Sequence, residues 1–460
     1  MPVIPLGACL VAEAAELAGH DVRVLDLMFE RNPLHAVEQE ISNTGPDVIG
    51  LSVRNLDNND IRNPAFFIRD IVPLVNTIRR ATTVPIILGG AALAVMPEEI
   101  MRYTRVSYAV LGEGEVVFPH LLENLAKGIS LKQAPGVAWI EDDIFGKNEL
   151  SGASCTNCPA PDFPRWINAK AYQSGLATVP LQTKLGCHFK CIYCTYRKIE
   201  GPHYRLFNHE SILEAIERFA SAGFRDIEFV DNVFNSPYAN AMTLCEALAQ
   251  RSNNVRLQSL ELNPLFVDDA LLGAMESAGF TGIGITVENA SDAVLCRLGK
   301  GFTARDVYNA AEVVKRHRLP CVWIFMLGGP GETESTVRDT LRFAESSVHP
   351  RDVVFFNLGI RIYPGTELES VARTQGILTT SPRDMLTPVF YMSPEVDFAW
   401  MVSQIKNSMS SHLNFMNSDS IGMSFLPLLH RIGYKMGIRP PLWKHTRIIR
   451  RGLRLFGIDS

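Results

Sequence analysis

The sequence predicts an α/β protein in two layered units: a doubly wound N-terminal sheet lacking its first strand, then a partial (β/α)6 barrel, then a mainly helical C-terminal region. Two observations carry this. Short apolar runs alternate with helical periodicity over residues 1–125 and again over 179–375. The runs end in glycines or polar turn residues, the pattern of parallel strands joined by crossover helices. The 460 residues suffice for two or three domains.

In the first unit, Ala8 to Leu17 reads as a helix stopped by Gly19-His20. Val22–Asp26, Asp47–Ser52, Pro85–Gly90 and Tyr108–Gly112 read as strands. In such a sheet ligands bind beyond the carboxyl ends of the strands. Ser52, Gly89, Gly90 and the turn Gly112, Glu113, Gly114, Glu115 fall there. Residues 126–178 read as a connector, with Pro159, Pro161 and Pro164 breaking helices and Cys155 and Cys158 in a polar loop.

Six strands are expected in the barrel, which spans residues 179–375: Val179–Leu185, Asp226–Val230, Arg256–Leu260, Gly282–Val287, Cys321–Leu327 and Asp352–Ile360. Residues 376–460 show no strand pattern. Net charge is −5, yet residues 421–460 alone carry +7. Trp443, Ile448, Ile449, Leu453, Leu455 and Phe456 interleave there with Lys444, Arg447, Arg450, Arg451 and Arg454. That pattern suits either peripheral contact with an anionic membrane face or a helix packed on the barrel. No apolar run approaches the roughly 20 residues of a membrane span, and no signal peptide is evident. With nine cysteines this argues for the cytoplasm. The rest of the chain is acidic, so nucleic acid is not expected as a partner.

The chemistry centres on Cys187, Cys191 and Cys194, spaced Cys-x3-Cys-x2-Cys just after the first barrel strand. Three thiolates so placed hold three corners of a cubane cluster and leave one iron open. A zinc knuckle would want a fourth ligand, and His188, next to Cys187, would point away. Strand-end positions of a barrel are site positions. They are occupied by Asp231, Asn232 and Asn235, by Glu261 and Asn263, by Glu288 and Asn289, by Gly328, Gly329 and Glu332, and by Arg361 and Tyr363. For Asp231 a helix cap is the alternative to ligand contact, and for Arg361 and Tyr363 it is packing.

The cysteine spacing, with Tyr193 before the last cysteine, resembles the signature of the radical S-adenosylmethionine superfamily. Thr286-Val-Glu-Asn289, Met326-Leu-Gly-Gly-Pro-Gly-Glu-Thr333 and Arg361-Ile-Tyr-Pro-Gly-Thr366 resemble its later strand ends. Pro5-Leu-Gly7, Ala18–Asp26, Leu88-Gly-Gly90 and Gly112-Glu-Gly-Glu115 resemble the flavodoxin-like cobalamin-binding domain that precedes many such barrels. The resemblance covers roughly residues 5–370. It implies a [4Fe-4S] cluster on Cys187, Cys191 and Cys194. It places S-adenosylmethionine near Tyr193, Asp231, Glu261, Glu288, Gly328 and Gly329. Cobalamin would lie on Ser52, Gly89, Gly90, Gly112, Glu113, Gly114 and Glu115. No Asp-x-His-x-x-Gly element is present, which implies cobalt without a histidine below it.

The implied activity is methylation of an unactivated carbon in a lipid, isoprenoid or secondary metabolite. An adenosyl radical would abstract hydrogen, methylcobalamin would supply the methyl group, and a flavodoxin- or ferredoxin-type donor would supply low-potential electrons. Cyclisation, C–C coupling or rearrangement without methyl transfer is the alternative enzyme reading. An iron–sulfur redox or sensor protein is the non-enzymatic one. Met1 stands almost on the Pro5-Leu-Gly7 piece, so an upstream strand is expected in a complete domain.

Overall fold

The structure, a computed structural model, describes residues 2–150, 160–251, 254–418 and 426–455. Cys155, Cys158, Pro159 and Phe456 lie outside the described residues.

The N-terminal sheet has five strands in the order β1 (Ile49–Ser52), β2 (Ile86–Gly89), β3 (Tyr108–Val110), β4 (Val137–Glu141) and β5 (Ile144–Lys147). The first three are parallel, and β4 and β5 add an antiparallel hairpin to β3. Two expectations are corrected here. Part of the expected connector, residues 137–147, belongs to this sheet. Val22–Asp26 is not a strand: no ladder partner lies beside it among the described residues, and an extended segment without one cannot close strand hydrogen bonds. Tyr172 instead donates to Asp26 at 2.8 Å, and Val22 and Val24 pack against the barrel core.

The second sheet holds seven parallel strands in the order β16-β13-β12-β11-β10-β9-β6. In chain order these are β6 (Val179–Leu181), β9 (Asp226–Phe229), β10 (Arg256–Leu262), β11 (Phe280–Glu288), β12 (Cys321–Leu327), β13 (Val353–Leu358) and β16 (Phe415–Asn417). Short ladders β7 (Lys184–Leu185) with β8 (Arg205–Leu206), and β14 (Ile360–Arg361) with β15 (Phe390–Tyr391), sit beyond strand ends. The six expected barrel strands are present. The tail, expected to be without strands, supplies β15 and a seventh barrel strand, β16. Three residues are too few for alternation to show in sequence.

Strand register separates the two faces of the barrel. Ile227, Phe229, Leu257, Ile283, Ile285, Phe325 and Phe356 are buried in one cluster with helix residues such as Ile216, Leu244 and Val314. On the opposite face Glu228 pairs with Gln258, Gln258 with Gly282, Thr286 with Ile324, and Ile324 with Phe355. These residues line the lumen, since successive side chains of a strand alternate in face.

The C-terminal helices lie under the barrel. Arg447 donates to the Pro350 carbonyl at 2.9 Å, just before β13. Arg450, buried, donates to the carbonyls of Met409, His412 and Phe415, which end the helix Phe398–Ser411 and begin β16. A buried guanidinium capping helix carbonyls is a structural use of charge.

Candidate active site

The cluster loop is pinned from several sides. Gly186 has φ of +86°, and a Cβ there would stand 2.0 Å from the His203 carbonyl oxygen, so the hairpin closes only on glycine. The Cys187 amide donates to Gly201 at 3.1 Å, and the Ile192 amide to Leu298 at 3.1 Å. The Glu200 carboxylate accepts from the Gly186 amide at 3.0 Å and from Asn232 at 2.6 Å. Cys187 is buried, and Cys191 and Cys194 are half-buried. Among the described residues no three His, Cys, Asp or Glu groups converge on a single ion. Burial first, then the neighbouring thiols, pushes Cys194 up to about 12. Iron must therefore displace protons on binding. His188 packs against Phe189 and Tyr204.

Asp231 is turned inward. It accepts from the Thr183 amide at 2.8 Å, the Thr183 hydroxyl at 2.9 Å and the Lys184 amide at 3.2 Å, and faces the Lys184 ammonium at 3.8 Å. Both side chains are at most 1% exposed. Burial raises the Asp231 pKa and lowers that of Lys184, against their mutual attraction. The carboxylate is thus committed to bracing the strand that launches the cluster loop.

Tyr193, Glu288 and Lys300 form a cluster beside the cysteines. The tyrosine hydroxyl donates to Glu288 at 2.5 Å, and the Lys300 ammonium reaches Glu288 at 3.1 Å and the Tyr193 hydroxyl at 3.2 Å. Burial opposes the charge on Lys300, but Glu288 and the thiols of Cys191 and Cys194 outweigh it and hold its pKa above the ordinary range. Glu288 has φ of +62°, a strained value for a carboxylate-bearing residue at a strand end. Glu261 accepts from the Thr286 hydroxyl at 3.3 Å. Burial, then Glu288, raises its pKa to about 8. Asn289 donates to the buried Glu332 at 2.8 Å, and Glu332 also accepts from the Gly328 amide at 3.2 Å. This ties the Gly328-Gly329 turn to the end of β11.

The carboxyl ends of the two sheets face each other. Arg361, buried, donates to Asp57 at 2.8 Å and to the Met385 carbonyl at 2.6 Å. Tyr363 donates to Asn59 at 2.9 Å, and Lys198 to the Val95 carbonyl at 3.0 Å. Glu113 pairs with Arg205 on β8 of the cluster hairpin. Arg361 and Tyr363, open between substrate and packing roles, therefore join the two units. Asp57, Lys198, Arg205 and Lys300 are important here and were not singled out from sequence. The acid- and amide-rich run Asn55-Leu-Asp-Asn-Asn-Asp60 and the glycine-flanked Lys300 were the available signals.

On the cobalamin side, Ser52 and Gly89 end neighbouring strands, with Gly112, Glu113, Gly114 and Glu115 just beyond β3 on the same edge. A Cβ at Gly89 would meet nothing within 4 Å, which suits close approach of a flat ligand. Gly90 differs: its φ is +100°, and a Cβ would stand 2.5 Å from the Val53 carbonyl oxygen. Glu115 is raised mainly by burial, then by Glu113.

A cluster loop at a barrel mouth, faced by a glycine-edged sheet, defines a radical S-adenosylmethionine enzyme of the cobalamin-binding class. The B12 binding domain model matches residues 1–122, and the radical SAM superfamily model matches residues 182–344. The chain joins these two domains, and its cofactors are a [4Fe-4S] cluster, S-adenosylmethionine and cobalamin. An uncharacterized methyltransferase of Pyrococcus horikoshii is 26% identical over 82% of this chain and 80% of its own length. The tryptophan 2-C-methyltransferase of Streptomyces laurentii is 21% identical over 79% and 71%. The methyltransferase TsrM from Kitasatospora setae, solved with cobalamin and a [4Fe-4S] cluster, shares the fold with a TM-score of 0.87 at 21% identity, over 99% and 96% of the two chains.

Proposed function

We propose that the chain methylates an unactivated carbon of a small molecule, of the secondary-metabolite or lipid and isoprenoid kind. The observation that carries this is the apposition of two site edges, joined by Asp57–Arg361 and Glu113–Arg205. The cluster with S-adenosylmethionine supplies radical chemistry and cobalamin supplies a methyl carrier. Cys187, Cys191 and Cys194 hold the cluster. Tyr193, Glu261, Glu288 and the Gly328-Gly329 turn are the residues proposed for S-adenosylmethionine. Asp231 serves that site through the loop it braces. Ser52, Gly89, Gly90 and residues 112–115 are proposed for cobalamin.

The electron donor is proposed to be a flavodoxin or ferredoxin, and the location cytoplasmic. No described helix is long and apolar enough to cross a membrane. The exposed side of the helix Thr446–Leu455, with Ile448 and Leu455 near Arg447 and Arg451, is what supports the peripheral membrane contact expected from sequence.

The test is methyl-labelled S-adenosylmethionine with the reconstituted, reduced holoenzyme. Methylcobalamin and a methylated product are expected. Formation of 5′-deoxyadenosine with no methyl incorporation would favour cyclisation or coupling instead. No cleavage of S-adenosylmethionine and no methylcobalamin would leave a redox or sensor role.

A further inference from the structure

A cavity of about 320 Å³ lies between the barrel and the C-terminal tail. On the barrel side it is lined by Asp226 and Arg256, the first residues of β9 and β10. It is thus at the amino end of the strands, whereas the cluster loop and the proposed cofactor edges are at the carboxyl end. Barrel chemistry is done at the carboxyl end, so this cavity is not part of the site described above. On the tail side it is lined by Tyr434, in the helix Leu426–Lys435, and by Arg439 just beyond that helix. Its volume is at the low end for small-molecule sites, which run from roughly 300 to 1,000 Å³.

Three arginines and a single acid line this cavity. Arg256 is matched by Asp226, to which its Nε and Nη2 each donate at 2.6 Å. Arg225 and Arg439 have no carboxylate partner among the described residues. Each is fixed through Nη1 alone: Arg225 on the carbonyls of Ala220 and Phe224, Arg439 on those of Tyr434 and Ile438. The Tyr434 ring also supports Arg439, 4.8 Å from its centroid. The other N–H groups of both guanidiniums are unused among the described residues, and all three arginines are only partly buried. Lys444 stands near enough to sense the same charges. Burial holds its pKa below the ordinary range against the pull of Asp226, and Arg256 pushes the same way. Like charges so gathered repel, and an oxyanion removes that repulsion while filling the free N–H groups.

We propose that this cavity binds a small, soluble phosphate monoester, whose phosphate links Arg439 of the tail to Arg225 of the barrel. Two unmatched guanidiniums suit a phosphate, which carries about −1.5 to −2 near pH 7, better than a single carboxylate. The apolar lining from Leu176, Phe224 and Pro440 leaves room for the carbon skeleton of the ester. The site is independent of methyl transfer, and its occupant holds the tail against the barrel.

The test is calorimetric titration of the full-length holoenzyme with glycerol 3-phosphate at constant ionic strength. Cluster, cobalamin and S-adenosylmethionine are loaded without reductant, so the cofactor sites are filled and nothing turns over. Saturable binding of one glycerol 3-phosphate per chain is expected, and none of glycerol. No saturable binding overturns the proposal. Arg225→Gln and Arg439→Gln should each weaken binding about tenfold. Asn254→Glu places a carboxylate at the exposed rim without removing a described hydrogen bond, so it reports even if an arginine variant fails to fold. It should weaken binding at least as much, and unchanged affinity in the folded variants overturns the assignment. Binding to vesicles of phosphatidic acid but not to the soluble ester overturns the choice of a soluble ligand. Glycerol 3-phosphate should also slow tryptic cleavage after the exposed Lys435 several-fold. An unchanged rate at saturation overturns the link between tail and barrel.

Discussion

The two halves of the molecule present strand ends to each other but build them differently. On the N-terminal sheet the edge is mostly backbone: Gly89, Gly90 and Gly112, with Gly90 held against Val53. On the barrel the edge is buried side-chain charge: Lys184 with Asp231, Lys300 with Glu288, and Glu332 under the Gly328 turn. A backbone edge admits a large flat ligand at Gly89, where a Cβ would meet nothing within 4 Å. A charged edge fixes a small loop in one geometry, because each buried charge tolerates only its partner. The contrast suggests that damage to one edge should spare the other.

The largest effect should come from Asp231→Ala. It strands the buried Lys184 ammonium and removes three hydrogen bonds, so a loss of about 3–5 kcal/mol is expected. Urea unfolding and iron retention measure it. An unaltered midpoint with full iron would break the view that this pair holds the cluster loop.

Asp57→Ala cuts the joint between the halves. Arg361 keeps carbonyl partners, so the cost should be smaller, about 2–3 kcal/mol. Cobalamin retained after desalting should fall while iron content holds. Loss of both cofactors together would show one site where two edges are claimed.

Gly90→Ala meets both a positive φ and the Val53 carbonyl, and should destabilise by about 1–3 kcal/mol. Gly89→Ala should leave thermal unfolding unchanged yet weaken cobalamin retention. If both variants behave alike, the distinction between a folding glycine and a binding glycine fails.

The smallest expected effect is in pH. Glu261, raised to about 8 by burial and Glu288, is neutral at pH 7 and ionises as pH rises through 8. If S-adenosylmethionine lies beside Glu261 as proposed, the carboxylate then attracts its sulfonium, so affinity should tighten over that step. Equilibrium binding from pH 7 to 9 checks this, and Glu261→Gln should flatten the profile.

Much of this was legible in the sequence. The cysteine spacing, the strand-end motifs and the glycine-marked turns are local features whose chemistry depends on neighbours a few residues away. The barrel strands β10 to β13 were legible because each runs six to nine residues, long enough for an apolar run to show. Val22–Asp26 misled because its residues favour a strand but a strand also needs a partner. The hairpin β4–β5 and strand β16 were missed because short strands carry too little pattern.

The sequence by itself thus determined the cofactor chemistry and the parallel architecture. Only the tertiary structure decided what the charges are for. Asp231 turned from a candidate ligand into a brace, Arg361 into a joint with Asp57, and Arg450 into a helix cap. The physical reason is that a charged or polar side chain takes its role from the group it meets on burial, and those partners lie from a few dozen to several hundred residues away along the chain.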